Sequence, residues 1–407
     1  MNQKKTILVL ASTYPRWKED HEPRFIHELC KRLTSKFNVI ALVPDAKEAD
    51  PSGIFENVEV IRYRYAPKPL QSLVNNGGIV ANLKTYLWKW LLIPSFLFSQ
   101  FFAVKALLRK RKIDAIHAHW LLPQGWIAHQ LTKKMNIPFV VTSHGGDLYG
   151  LQGHLLTQEK KKIAEGATAM TVVSSAMKAY LEKQNIYPKQ VHIIPMGIDL
   201  RTRFVPNSSI ERKKYELLFV GRLVPKKGVN FLLDALAILI NKYPQLRLKI
   251  VGFGPEEASI KAQIKALDLD HVVDFIGALA QEKLPELYQS ATAFVAPFIR
   301  ADNGDQEGLP VAFMEAIGCG CPAVVGQVAG IEDLLGSDFK DVAVDPKNIN
   351  ELVSAISQIL EQPESALKRS KRIRQNTIDF IDWENVAERY VFLLEQNIHQ
   401  FDKQISK

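Results

Sequence analysis

The sequence predicts two doubly wound parallel α/β domains in one chain, and three observations predict this. The 407 residues are more than one ordinary core organises and suit two domains of about 150–200 residues each. Short runs rich in Ile, Leu and Val alternate with stretches of helical spacing, as parallel strands buried between helix layers do. The alternation stops near Gly197 and begins again near Glu216.

Residues 6–11 form the first apolar run, read as a buried strand rather than the core of a signal peptide. Residues 25–33 then have helical spacing. Strands are predicted at 39–43, 58–63, 115–119, 139–143, 168–173 and 191–194, with helices around 127–134 and 175–183. Residues 198–214 carry Pro206, Asn207, Ser208, Ser209 and the charge cluster 211–214, which read as an interdomain linker. Beyond it, strands at 216–220, 246–251, 272–276, 293–296 and 323–325 alternate with helices at 228–241, 255–266, 284–289 and 310–317. No repeat of about 20–50 residues is visible, which excludes a solenoid. Two such domains are expected to leave a cleft where strand carboxyl ends face one another, the place where open α/β sheets bind ligands.

Composition narrows the function. The first 200 residues hold 27 Lys and Arg against 15 Asp and Glu, while residues 201–407 hold 25 against 28, so the net charge of +9 arises in the first half. A basic half attracts nucleic acid, anionic lipid or phosphorylated substrate. No zinc finger, basic helix or RNA-binding signature accompanies it, and nucleic acid is not expected as a partner. Three cysteines, Cys30, Cys319 and Cys321, are too few for a disulfide framework and are expected to be buried thiols in a reducing compartment. Residues 90–104, WLLIPSFLFSQFFAV, are the most apolar stretch, shorter than the ~20 residues that span a bilayer. Lys84 and Lys89 precede it, and Lys105, Arg109, Lys110, Arg111 and Lys112 follow. Residues 84–112 therefore read either as helices buried against the sheet or as a surface helix on an anionic membrane.

Three constellations carry chemistry. In DQEGLPVAFMEAIGCGCPAVV (305–325), Glu307 precedes Gly308, Pro310 stands at the expected first helical position, and Glu315 lies eight residues beyond Glu307. Gly308 admits a ligand close to the backbone, and the N–H groups of Leu309 and Val311 suit phosphate at a helix N-terminus. Glu307 can accept bonds from sugar hydroxyls, and Glu315 can reach a ribose; the plainer alternative is a capping charge and a solvated helix residue. In LLFVGRLVPKKG (217–228), Arg222 and Lys227 follow a strand between Gly221 and Gly228, where cations neutralise a diphosphate. In VVTSHGGDLYG (140–150), His144 ends a strand, and IHAHW (116–120) puts His117 and His119 on one side of another. Zinc at that histidine pair would need further ligands, and none is identifiable. Asp302 and Asp305 fall in a polar loop and are expected to be solvated.

The chain resembles the retaining glycosyltransferases of family 4, which have the GT-B fold of two Rossmann-like domains. The resemblance rests on SHGGD, VVSSAMKAYL, IIPMGID, FVGRLVPKKG, IVGFGPEE, VDFIGALAQEKLPELYQSATAFVAPF and EGLPVAFMEAIGCGCPAVV, which occur in the family's order. It implies an acceptor-side domain over 1–200, a donor domain over 201–379, and a last helix from about 380 that returns to the first domain. It implies that Arg222 and Lys227 bind the donor diphosphate, that Glu307 contacts the transferred sugar and Glu315 the ribose, and that His144 lies beside the reacting carbon. Gly277 to Leu279 would line the base pocket. The first loop, STYPRWKEDHEPRFIHEL, lacks the glycine pair of many members and is similar to a branch of bacterial cell-surface polysaccharide transferases, as is HWLLPQG (119–125). Arg16, Arg24 and His119 are then acceptor-side candidates. The implied activity is hexosyl transfer with retention, from a nucleotide diphosphate sugar to a glycan or lipid-linked acceptor. No cofactor or metal is expected, and the place is the cytoplasm or the inner face of its membrane. A GT-B sugar-nucleotide epimerase and a non-catalytic sugar-binding protein are the alternatives.

Overall fold

The computed structural model describes residues 4–18, 20, 22–75, 78–150, 152–302 and 304–405. The chain divides into two compact units, one of residues 1–197 with 384–407 and one of residues 198–383. Each is built on a parallel sheet.

In the first unit the strands lie in the spatial order Gly53–Phe55, Val58–Tyr63, Asn38–Pro44, Thr6–Leu10, Ala115–His119, Phe139–Ser143, Ala169–Val172 and Val191–Ile193. All pairings are parallel except Gly53–Phe55 on Val58–Tyr63, an antiparallel edge. That edge strand, GIF, is too short to show a period in the sequence. The central strands are buried on both faces, which is why they read as continuous apolar runs. The helix Trp383–Ile405 belongs to this unit from Glu384 onward. Its Tyr390 hydroxyl lies 3.2 Å from Thr171 and 3.4 Å from Thr142, inside the sheet's polar seam.

The second unit orders its strands Val273–Gly277, Arg247–Val251, Glu216–Val220, Ala293–Ala296, Ala323–Gly326 and Ala343–Val344, all parallel. Its core joins Leu217, Phe219, Leu232, Leu236, Leu248 and Ile250 with Leu352 and Ile356. Residues 198–214 are not a linker. Leu200 and Phe204 are buried in this unit, and the Arg212 guanidinium donates to the carbonyls of Tyr288, Ala291 and Gly320. The turn-forming residues 206–209 are exposed and make a local turn, while the residues that fix the segment to this unit, Leu200, Phe204 and Arg212, lie on either side of it.

The loops after Glu216–Val220 and Arg247–Val251 pack backbone to backbone. Gly252 has φ +146°, and a Cβ there would lie 1.8 Å from the Gly221 carbonyl oxygen. A Cβ on Gly254 would lie 2.3 Å from the Leu223 carbonyl oxygen. VGFGPEE, weak as a motif, is therefore a packing device that sets the loop carrying Arg222 and Lys227. Gly252→Ala combines backbone strain with a backbone clash and is expected to destabilise the chain by more than about 3 kcal/mol. Urea unfolding would check this; an unchanged midpoint would contradict the packing.

Candidate active site

The second unit assembles a charged cluster from two distant segments. The strand Glu216–Val220 ends in a loop whose short 3₁₀ turn, Pro225–Lys227, is closed by Gly228 at φ +63°. The helix Val311–Gly318 follows the loop that carries Asp305 and Glu307. Pro310 takes extended backbone and caps this helix instead of opening it, so the first helical residue is Val311. Lys227 Nζ lies 3.3 Å and Lys226 Nζ 3.6 Å from Glu307 Oε1, and Lys226 is also 3.3 Å from Asp305. Asp305 is thus an ion-pair partner and not a solvated loop residue.

Burial pushes the Glu307 carboxyl up, and the two ammonium groups outweigh it, holding the group at about 2. Lys226 is the mirror image: burial lowers it, and Glu307 and Asp305 more than restore it. Lys227 is fixed further by the ring of Phe298, 4.7 Å from its Nζ. Gly221 lies beside that ammonium, which would be 3.6 Å from a Cβ built there, an ordinary contact distance. Arg222 leaves the same strand one residue after Gly221 and is half-buried. Gly308 and Leu309 are buried and Val311 half-buried at the helix N-terminus, where the first N–H groups have no intrahelical acceptor.

Glu315 faces a different wall. Its carboxylate accepts from Gln281 Nε2 at 2.9 Å and from the Tyr288 hydroxyl at 3.0 Å. Burial raises it to about 7 against these two bonds. Gln281 in turn accepts from Arg203 at 3.1 Å. Gly277, at φ +79°, closes the strand Val273–Gly277, with open space where a side chain would stand. Leu279, two residues on, is half-buried. Glu315 therefore shares one wall with the loop that holds Gly277 and Leu279, through Gln281. The sequence reading missed Lys226, Asp305, Gln281, Tyr288 and Phe298 as site residues. Only Lys226 carried a signal, as the first of two adjacent lysines; the others lie 27–79 residues from the groups they touch.

The first unit holds a separate cluster. His144 follows the strand Phe139–Ser143, and the turn after it needs Gly145 at φ +101°. Asp147 ties the turn down, accepting from Leu121 N–H at 2.7 Å, Ser143 Oγ at 2.9 Å and His144 N–H at 3.2 Å. His144 Nε2 lies 2.9 Å from His119 Nδ1, with the two rings stacked and Phe25 set edge-on to His144. His117, two residues before His119, bonds Thr142 at 2.8 Å. Burial lowers His144 to about 3, with His117 adding to it, so the imidazole is neutral at pH 7. A neutral imidazole can orient a hydroxyl through its one N–H or its free lone pair, but it is not a general acid at that pH.

Arg16 and Arg24 have protein partners. Arg16 forms a two-pronged pair with Asp20 at 2.7 and 2.8 Å. Arg24 reaches Glu56, Glu28 and the Lys18 carbonyl. The three cysteines are free and buried. Among the described residues, no group of three or more His, Cys, Asp or Glu is placed to hold a metal.

Comparison with known proteins places the chain. The family model described as Glycosyltransferase Family 4 matches residues 23–202, and that described as Glycosyl transferases group 1 matches residues 201–379. The amylovoran biosynthesis glycosyltransferase AmsK of Erwinia amylovora is 28% identical over 199 residues, 48% of each chain. The aligned part thus spans about half the length of such relatives. Among solved structures, the sucrose-phosphate synthase of Thermosynechococcus elongatus superposes with TM-score 0.80 at 22% identity, covering 97% of this chain and 99% of that one. Anabaena HepE, solved in complex with UDP-glucose, superposes at 0.72 with 16% identity, covering 96% and 99%. With both family domains matched in sequence and the two-sheet fold shared in structure, the chain belongs to the GT-B glycosyltransferases, joining a family 4 domain to a group 1 domain.

Proposed function

We propose that this chain is a retaining glycosyltransferase that moves a hexose from a nucleotide diphosphate sugar to a polysaccharide or lipid-linked acceptor. The observation that carries the reading is Glu307 held ionised by Lys226 and Lys227 beside a helix N-terminus. Two ammonium groups, Arg222 and free N–H groups suit a diphosphate. The carboxylate suits sugar hydroxyls, which donate to it. Each Glu315 oxygen accepts one bond in the structure and keeps a second lone pair for a ribose hydroxyl. The UDP-glucose complex of HepE supports a nucleotide-sugar donor, and the name of AmsK supports a polysaccharide acceptor. His144 is assigned to binding sugar as a neutral hydrogen-bonding group.

In the reaction, the bond from the anomeric carbon to the diphosphate breaks and a bond to the acceptor oxygen forms on the same face. The acceptor's proton passes to the departing phosphate oxygen. Lys227, Arg222 and the helix N-terminus stabilise the charge that grows there. Turnover is expected to survive EDTA, because these groups supply the countercharge.

The test is a panel of UDP-, GDP- and ADP-sugars. The true donor is expected to raise the melting temperature, since a ligand at a hundred times its Kd contributes about 2.7 kcal/mol. With acceptor added, nucleoside diphosphate release and an unchanged anomeric configuration by NMR are expected. Conversion of the donor without acceptor would instead favour the epimerase. Binding without release would favour a sugar-binding protein.

A further inference from the structure

The donor and histidine clusters leave one prominent feature of the first unit unexplained. The 3₁₀ turn Leu87–Leu91 runs directly into the helix Leu92–Lys110, and the two together are long and apolar enough, by length and composition, to cross a membrane. The helix is docked along one stripe, Leu92, Phe96, Gln100, Val104 and Leu108, at intervals of four. Phe96 meets the rings of Tyr63 and Tyr65 there. On a helix bound to a soluble domain, the opposite stripe is polar. Here that stripe is Pro94, Phe98, Phe102 and Ala106, all exposed, with Phe98 at 64% and Phe102 at 59%.

The turn continues the patch, with Leu87 76%, Trp90 57% and Leu91 81% exposed and Trp88 beside them. Its one basic residue does not dilute it. Lys89 is folded inward, donating to Asn82 Oδ1 at 2.6 Å and to the Ser72 carbonyl at 2.9 Å, and so holds its apolar neighbours outward. The Lys84 side chain lies outside the described residues. At the other end, Arg109, Lys110, Arg111 and Lys112 are all exposed. Residues 84–112 hold seven Lys and Arg and no Asp or Glu.

We propose that the first unit docks on an anionic lipid bilayer, with Leu87–Leu91 and the Phe98/Phe102 stripe in the interface and the basic end on the headgroups. Charge selects this occupant. A second copy meeting the same face about a two-fold axis would bring two all-basic segments together, whereas anionic lipid is complementary. Spanning is disfavoured, because it would strip the Phe96/Val104/Leu108 stripe from the sheet. An interfacial helix needs only its outer face, about 5–10 Å deep, with tryptophans at headgroup level. The helix also runs back along the sheet from the carboxyl end of Val58–Tyr63 to the start of Ala115–His119. Its turn therefore lies at the strand end that carries His119 and His144. If the transferase reading holds, a lipid-anchored acceptor would arrive on that side; the docking itself does not depend on transfer.

The experiment is flotation of the full chain with vesicles of phosphatidylcholine alone or mixed with phosphatidylglycerol. The chain is expected to float with the mixed vesicles and to be released by salt. Phe98→Ser with Phe102→Ser, and separately Lys110→Glu with Lys112→Glu, are each expected to lower the bound fraction by roughly tenfold or more. All four side chains are exposed, and equal melting temperatures would show that folding is kept. Quenching of tryptophan by brominated lipid in the unmodified chain gives a second readout that needs no variant. The proposal is overturned if the chain does not float with mixed vesicles or if the Phe98/Phe102 variant floats as well as the parent. A dimer in solution that the same variant converts to monomer would overturn it in favour of a second copy.

Discussion

Lys227→Ala is expected to lower turnover by roughly 10²–10³-fold, about 3–4 kcal/mol of transition-state stabilisation, by analogy with the loss of one oxyanion-hole donor. The size follows from how firmly the ammonium is held. It lies 3.3 Å from Glu307, against the Phe298 ring and over Gly221, so it needs no rearrangement as charge moves onto the diphosphate. Lys226 is a weaker substitute, being shared between Glu307 and Asp305. An ammonium that acts on the departing phosphate lowers kcat more than it raises KM, whereas one that only binds the donor does the reverse. Lys227→Ala therefore separates the two roles, with Lys226→Ala as the comparison. Near-normal kcat in Lys227→Ala would remove this residue from the catalytic assignment.

The sequence made much of this framework legible, for reasons that particular residues show. Strands such as Glu216–Val220 and Phe139–Ser143 are buried on both faces, so their apolar runs stand out whatever their neighbours do. Glu307 and Lys227 each stand beside a glycine at an element boundary, a local signal. What stayed hidden depends on distant pairing. Nothing near Glu315 announces that Gln281 and Tyr288 hold its two oxygens. Likewise, the polar run 198–214 has the composition of a linker, and only the burial of Leu200 and Phe204 and the reach of Arg212 show that it belongs to the second unit. The apolar segment after Lys84 left two readings open because its pattern has an apolar residue on both faces. In the fold, one stripe docks on the sheet and the other is exposed.

Glu315→Gln is expected to change how stability depends on pH, and the direction follows from the raised carboxyl. The folded chain keeps a proton on Glu315 up to about pH 7, while the ordinary value is 4.5. Between these values the folded state binds more protons than the unfolded state. The stabilisation from this group is therefore full below about 4.5 and is lost as pH rises through about 7. The gap corresponds to roughly 3 kcal/mol. Glutamine keeps the geometry: its oxygen accepts from Gln281, and its amide donates to the Tyr288 oxygen, which both gives and takes hydrogen bonds. Relative to the parent, Glu315→Gln should therefore gain stability at pH 8 compared with pH 5, read as a double difference of unfolding free energies so that other groups cancel. Parallel pH profiles would contradict a proton held on Glu315. Donor binding adds an independent sign. Ribose hydroxyls that donate to the carboxylate favour its charged form, so donor affinity in the parent should rise as pH passes about 7, and this rise should vanish in Glu315→Gln. A rise that survives the substitution would move the ribose contact to another residue, while leaving the stability argument intact.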